Sequence, residues 1–186
     1  GEGCGVVVLS STSESAGQSC WANLLSTAVN QDGRSATLTA PNGPSQERVI
    51  KTALGRAGVR LGSVKYIEAH GTGTALGDPQ EVNALSHVFG GYSVSPLVVG
   101  TIKTNIGHLE GAAGMAGLLR AVVCLRHQSV ATNLFAGAKL NQYLQTSVAA
   151  TPMMIPTSEE TSLSLTANPV AGVSSFGFGG TNANCI

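Results

Sequence analysis

Three observations predict an α/β fold. Short apolar runs bounded by glycine or proline alternate with longer stretches whose apolar residues recur at helical spacing, the pattern of strands separated by helices. Charged residues make up 11% of the 186-residue chain, well under half of the roughly 25% usual in soluble domains, and 24 residues are glycine, about twice the ordinary ~7% share. A chain so poor in charge is mostly interior. Finally, residues 110–127 form a helical stretch that is apolar almost all round, which places it in a central layer rather than on a surface.

The elements follow in order. Residues 6–9 are an apolar run next to Gly5 and are predicted as a buried strand, followed by polar sequence to Ser19. Residues 21–29 are predicted as a second strand, and 30–44, rich in Asn, Gly, Pro and Thr, as a loop. From Ser45 the pattern turns helical, with Val49, Ile50, Ala53, Leu54 and Ala57 on one stripe, Pro44 near the start and Gly58 as the stop. Residues 64–69 read as a strand. Asp78, Pro79 and Glu81 then open a helix with Val82, Leu85, Val88 and Phe89 on one face, ended by Gly90. Residues 96–102 are the next buried strand. In the helix over 110–127, Gly111, Gly114 and Gly117 recur every third residue, a strip that lets another backbone come close. Loop-like sequence runs from there to Pro169, with a short helix near Leu140, and residues 171–180 are a strand entering a glycine turn. No internal repeat is present.

Ten Lys plus Arg balance ten Asp plus Glu, and no basic block exists to neutralise phosphates, so nucleic-acid binding is disfavoured. No apolar run reaches the ~18 residues of a membrane span, and the first residues lack the basic flank of a secretory signal. The chain reads as soluble and cytoplasmic. Cys4, Cys20, Cys124 and Cys185 form no CxxC pair and are expected as free thiols. Because the chain opens in a strand pattern and stops without a polar tail, it reads as a fragment.

Polar residues stand next to glycine at three strand ends: His70 in HGTGT, Lys103 and His108 in KTNIGH, and Phe178 in SFGFGG. Ligands in open α/β sheets bind at strand ends, where loops from separate segments converge. Two histidines there point to proton handling or to hydrogen bonding of a carbonyl oxygen that gains negative charge, a stabilisation often worth about 2.7 to 4 kcal/mol per donor.

The strings YIEAHGTGTALGDPQE, GTIKTNIGHLEGAAGMAGL and GVSSFGFGGTNA, in this order and with these gaps, resemble the C-terminal half of a beta-ketoacyl synthase, specifically the ketosynthase domain of modular (type I) polyketide synthases. GEGCGVVVL and AVNQDGRSATLTAPNGPSQ resemble the stretch before those motifs, so the likeness covers nearly the whole chain. It implies a thiolase-like αβαβα layered fold, incomplete here: residues 1–63 would end the N-terminal half and residues 64–186 would form the C-terminal half, in a domain that is usually a homodimer. The implied activity is decarboxylative Claisen condensation of an acyl thioester with a malonyl-type extender, in polyketide or fatty acid biosynthesis. By position, His70 and His108 match the catalytic histidines that hydrogen-bond the thioester carbonyl. Lys103 matches the lysine that organises the site electrostatically, with Glu81 as its carboxylate partner. Thr72 and Thr74 match hydroxyls that hold the phosphopantetheine arm delivered by the acyl carrier protein, the implied partner. Phe178 matches the gate of the acyl pocket, whose backbone N–H completes the oxyanion hole, and Asp78 would shape its loop. The resemblance implies no metal and no tightly bound cofactor.

The family nucleophile, a cysteine in a TACSS-like elbow, has no counterpart in this chain. A reactive cysteine must be a thiolate, favoured at a sharp strand-to-helix turn, and none of the four has that setting. Asn184 and Ala131 also depart from the family's usual His and Pro.

Plainer readings stand beside these. Asp78 and Glu81 are spaced as the N-cap and third residue of a helix. Lys103 can also be read as a surface lysine, Thr72 and Thr74 as partners of the local backbone, Phe178 as core packing, and His87 and His127 as surface residues. Two other functions remain open. A catalytically silent ketosynthase-like scaffold would dispense with His70, Lys103 and His108. A dinucleotide-binding oxidoreductase would use the strand, GTGTALG turn and helix, although the carboxylate expected ~20 residues on is missing. Zinc is disfavoured because the histidines lie 17, 21 and 19 residues apart without ligand-pair spacing.

Overall fold

The computed structural model describes residues 1–11, 19–34, 40–91, 96–134, 144, 152–157, 161–163 and 168–186. In chain order these form β1 (Thr27–Gln31), α1 (Gly43–Ala57), β2 (Val64–Glu68), α2 (Gly77–Phe89), β3 (Leu97–Gly100), α3 (Lys103–Ile106), α4 (Ala113–His127), β4 (Ser129–Val130), β5 (Met153–Met154), β6 (Thr161–Ser162), β7 (Val170–Phe176) and β8 (Thr181–Cys185). Six strands make one sheet in the order β1-β8-β7-β2-β3-β5. β7, β2, β3 and β5 run parallel, whereas β8 is antiparallel to both β7 and β1. β4 and β6 form a separate antiparallel pair.

Alternation along the parallel strands divides the core in two. Ile67, Ala69, Leu97, Val99 and Phe176 face α1 and α2 in one apolar cluster. Tyr66, Val98, Ala171 and Val173 face α4 in the other. The result is three layers, helices on both faces of a mostly parallel sheet. α1 stops where its sequence predicts, at Gly58 in the left-handed region with φ 64°, but starts two residues before the expected Ser45, where the Asn42 side chain accepts a hydrogen bond from the Ser45 amide as an N-cap. The left-handed conformation suits glycine because it lacks a Cβ.

The glycine strip of α4 acts at two of its three positions. A Cβ at Gly117 would lie 3.0 Å from Glu68 Cγ and 3.3 Å from a Val173 methyl, and one at Gly114 would lie 3.3 Å from Ser175 Oγ, while Gly111 faces nothing within 4 Å. Gly114 and Gly117 therefore let α4 lie close over β2 and β7. Within this chain α4 is not covered on all sides. Its lone polar residue of the middle turns, Arg120, is buried, whereas Leu119 and Val123 are exposed.

Several other expectations need correction. Residues 6–9 are not a strand: Val6 and Val8 are 80% and 93% exposed, and no described strand lies beside them to complete a ladder. The second strand starts at Thr27, leaving Trp21 exposed, and it extends through Asn30 and Gln31. The loop-like stretch after α4 contains β4, β5 and β6, each two residues long and too short for a periodic signal. The glycine turn leads into β8, whose polar sequence TNANC hides a strand with Asn182 and Asn184 buried. The expected short helix at Leu140 lies outside the described residues. β1 and α1 pack directly on β8.

Gly117→Leu is expected to destabilise the protein by about 1–3 kcal/mol, because the added carbons meet Glu68 and Val173 in a packed layer. Gly55→Ala, in a helical position with nothing within 4 Å, is expected to stabilise it by roughly 0.5–1 kcal/mol. Urea denaturation midpoints measure both, and a stabilised Gly117→Leu protein would contradict the packing assigned to α4.

Candidate functional site

Because β7, β2 and β3 are parallel neighbours, their C-terminal ends lie side by side. His70 follows β2, Lys103 opens α3 just after β3, His108 follows α3, and Phe176 ends β7. This edge gathers the residues separated along the chain. The His70 and His108 rings stand 5.6 Å apart between centroids, nearly perpendicular, and the Phe176 ring lies 5.8 Å from that of His70. The two imidazoles thus meet edge to face at the sheet's C-terminal edge.

Backbone anchors set the position of each ring. Glu81, buried on α2, accepts the His70 amide at 2.8 Å with one oxygen and the Gly71 amide at 2.9 Å with the other. Gly71 turns sharply with φ 45°, and a Cβ there would meet Thr101 at 2.9 Å. On the other side, the Glu110 amide donates to His108 Nδ1 at 2.9 Å from a left-handed backbone with φ 50°. A non-glycine residue held there carries strain of order 1–3 kcal/mol, which persists where the surroundings over-determine it. With Nδ1 accepting, the neutral His108 ring carries its proton on Nε2, leaving that N–H as the free donor.

Electrostatics keep the rings uncharged. His70 is held down to about 3 by burial first, then by the charge of Lys103 and by His108, and its Nδ1 is buried with no hydrogen-bond partner among the described residues. Burial and Lys103 also lower His108. Burial lowers Lys103 in turn, opposed by the negative charges of Glu81, Glu68 and Asp78. Burial raises Glu81 to about 7 against the pull of its two amide bonds and of Lys103.

The remaining residues singled out by sequence divide between the site and its supports. Glu81 interacts with Lys103 only through its charge, since both its oxygens are spent on backbone amides and no ion pair joins the two among the described residues. The capping arrangement read for Asp78 and Glu81 is corrected. α2 starts at Gly77 with Leu76 at its N-cap and no side-chain cap, and Asp78 instead accepts the Gly73 amide at 3.0 Å. Thr74 Oγ1 accepts the Gly77 amide at 3.0 Å and lies 3.4 Å from Thr72 Oγ1. Thr72, Asp78, Glu81, Thr101, Lys103 and Asn133 border a cavity of about 310 Å³. Phe178 is 81% exposed, so it is not core packing. Its turn is clamped from β1: Gln31 Nε2 donates to Gly179 O and the Asp32 amide to Gly180 O, while Asn182 Nδ2 donates to Asp32 at 2.6 Å.

The dinucleotide reading loses its physical basis here. A phosphate loop must offer free amides, whereas those of Gly71, Gly73 and Gly77 are taken by Glu81, Asp78 and Thr74. Two of those acceptors are acidic and would repel an anion. As for a nucleophile, Cys124 and Cys185 have raised thiol pKa values, burial being the leading cause. Cys4 and Cys20 lie exposed in irregular chain.

Sequence reasoning missed Phe176, Asn133 and the buried trio Tyr66, Glu68 and Arg120. Asn133 Oδ1 accepts the Thr101 amide at 3.2 Å. The available signal was a glutamate on a strand facing an arginine on an otherwise apolar helix, two charges that must meet if both are buried.

Comparison with known proteins gives a consistent set of relatives. The family model described as beta-ketoacyl synthase, C-terminal domain, matches residues 21–136. The chain is 46% identical over 190 residues to erythronolide synthase EryA3 of Saccharopolyspora erythraea, covering all of this chain and 6% of that protein. It is 43% identical over 195 residues to a phenolphthiocerol/phthiocerol polyketide synthase of Mycobacterium tuberculosis, covering all of this chain and 10% of that protein. Among solved structures, the oxazolomycin ketosynthase domain OzmH KS7 of Streptomyces albus JA3453 superposes with a TM-score of 0.85 at 36% identity, over 94% of this chain and 31% of that one. The ketosynthase from module 6 of the bacillaene synthase of Bacillus subtilis 168 does so with a TM-score of 0.83 at 31% identity, over 94% of this chain and 32% of that one. The chain thus spans about a third of the solved ketosynthases it matches.

The ring nitrogens give a direct test of the neutral pair. The His70 ring nitrogens are expected to keep the chemical shifts of a neutral imidazole from pH 8 to about pH 5, because a lowered pKa keeps the proton off until well below the ordinary ~6.5. Titration of His70 near pH 6.5 by NMR would contradict the environment described.

Proposed function

Because the chain belongs to the beta-ketoacyl synthase C-terminal domain family, we propose that it supplies the histidine half of a ketosynthase site that condenses an acyl thioester with a malonyl-type unit on an acyl carrier protein. The observation that carries the reading is the pair of uncharged imidazoles, His70 and His108, facing each other at 5.6 Å.

Decarboxylation of a malonyl thioester breaks the bond to the carboxylate carbon, releases CO₂ and moves that electron pair into the thioester, where the oxygen gains negative charge. Neutral N–H donors aimed at that oxygen strengthen as the charge grows, which is what lowers a barrier rather than merely tightening binding. His108 is prepared for this by its accepting Nδ1, which leaves Nε2–H to donate. The Lys103 charge supports the same developing anion and discourages protonation of either ring. The enolate carbon then attacks the acyl carbonyl of a cysteine thioester, forming the C–C bond and breaking the C–S bond, whose electron pair leaves on the cysteine as thiolate. That cysteine belongs to a part of the ketosynthase outside this chain. Phe178, exposed at a clamped turn, suits a gate over the acyl pocket, with its backbone N–H at the second oxyanion. Thr72, which lines the cavity, and Thr74, 3.4 Å from it between hydroxyl oxygens, suit contact with a phosphopantetheine arm. No described helix is long and apolar enough to cross a membrane.

The exposed apolar side of α4 supports the same reading. Leu119 and Val123 are of the kind a further layer covers, as an αβαβα domain of two halves, paired as a homodimer, would do. In the complete domain, His70→Ala and His108→Ala are each expected to lower condensation by about 10²–10³-fold, with circular dichroism unchanged. Turnover of a carrier-bound malonyl substrate measures it, and wild-type rates in either variant would refute the assignment. A wild-type domain that neither decarboxylates nor condenses would favour a silent scaffold.

A further inference from the structure

Glu68, the last residue of β2, is 1% exposed, and burial of a carboxylate costs several kcal/mol unless partners compensate. Three elements are shaped around it. Its Oε1 accepts the Ile102 amide at 2.6 Å, and its Oε2 accepts the Tyr66 hydroxyl. Arg120 of α4, also buried, brings Nη1 to 3.7 Å from Oε2 and donates through Nη2 to Ala131 O at 2.8 Å. Gly117 leaves the space that Glu68 Cγ fills. Ile102 immediately precedes Lys103 and is the N-cap of α3, so the amide that Glu68 holds belongs to the turn from which the lysine projects.

Resting on the function proposed above, we infer that Glu68 is a positioning residue for Lys103: its carboxylate pins the Ile102 turn and sets a negative charge near the lysine, with Arg120 as the buried counter-charge. A neutral acceptor would suffice to satisfy one backbone amide, whereas a charge acts on Lys103 as well. The groups that face Lys103 are Glu68 from β2, Asp78 and Glu81 from α2, and His70 and His108 from the flanking loops. Those that face Glu68 are Tyr66 from β2, Arg120 and Cys124 from α4, and Lys103. Burial raises Glu68 to about 7, so above neutral pH it is anionic and helps Lys103 keep its proton.

The test is Glu68→Gln in the complete ketosynthase domain, with two readouts. Competitive acetylation of Lys103 without substrate, followed across pH by mass spectrometry, is expected to show its midpoint lowered by roughly one pH unit, the size of one removed charge at an effective dielectric of about 20. With a carrier-bound malonyl substrate, kcat is expected to fall about ten-fold with KM unchanged, because a charged acceptor is exchanged for a neutral one. The acetylation readout does not need turnover, so an inactive wild-type domain bears on the proposed function alone, whereas an unmoved Lys103 midpoint overturns this inference. Should Glu68→Gln fail to fold, Glu68→Asp decides. One methylene shorter, it keeps the charge but withdraws from the Ile102 amide; a reduced kcat with a near-wild-type midpoint supports the inference, and a wild-type kcat overturns it.

Discussion

Two buried carboxylates, Glu68 at the end of β2 and Glu81 on α2, hold the backbone that follows the neighbouring parallel strands β2 and β3. Glu81 takes the amides of His70 and Gly71, and Glu68 takes the amide of Ile102. Strand ends leave backbone groups that no ladder can satisfy, and in a chain with so few charges the acids that satisfy them have to be placed deliberately. Each acid turns a flexible strand-to-helix connection into a fixed platform, and the functional side chains stand on those platforms rather than on the acids themselves.

The same burial that makes these carboxylates expensive sets the chemistry of the cations around them. His70 is kept neutral by loss of water and by the Lys103 charge, while Lys103 is kept from losing its own charge by Glu81, Glu68 and Asp78. Neutral donors and a nearby fixed cation suit a site that must tolerate a developing anion without protonating it prematurely. The glycine-rich connection after β2 is thereby redirected. Its amides bind the protein's own acids, and an arrangement that looks like a phosphate cradle becomes a support for an imidazole.

Family membership and geometry agree on the layered α/β architecture, and the structural relatives explain why α4 shows apolar side chains on one side. A helix meant to lie between two sheets needs two apolar faces, and this chain contributes one of the sheets. Gly114 and Gly117 bring α4 against that sheet, leaving Leu119 and Val123 on the opposite side.

Helix α1 with its Gly58 stop, the strands β2 and β3, and the strings around His70, Lys103 and His108 were all legible from local sequence, because each is a pattern of near neighbours. Less could be read where the partner is distant. β8 was not read as a strand at all, since the side chains that bury Asn182 and Asn184 come from β1, the residue after it and β7. Residues 6–9 looked like a strand, yet a strand exists only with a neighbour to bond. Glu81 looked like half of a helix cap, and only the folded sheet brings the His70 and Gly71 amides to it. Residue order determined which groups this protein carries and the local turns they occupy. Tertiary packing decided which charges lost their water, and so which protons stay and which leave, because desolvation depends on what has closed around a group rather than on its neighbours in the chain.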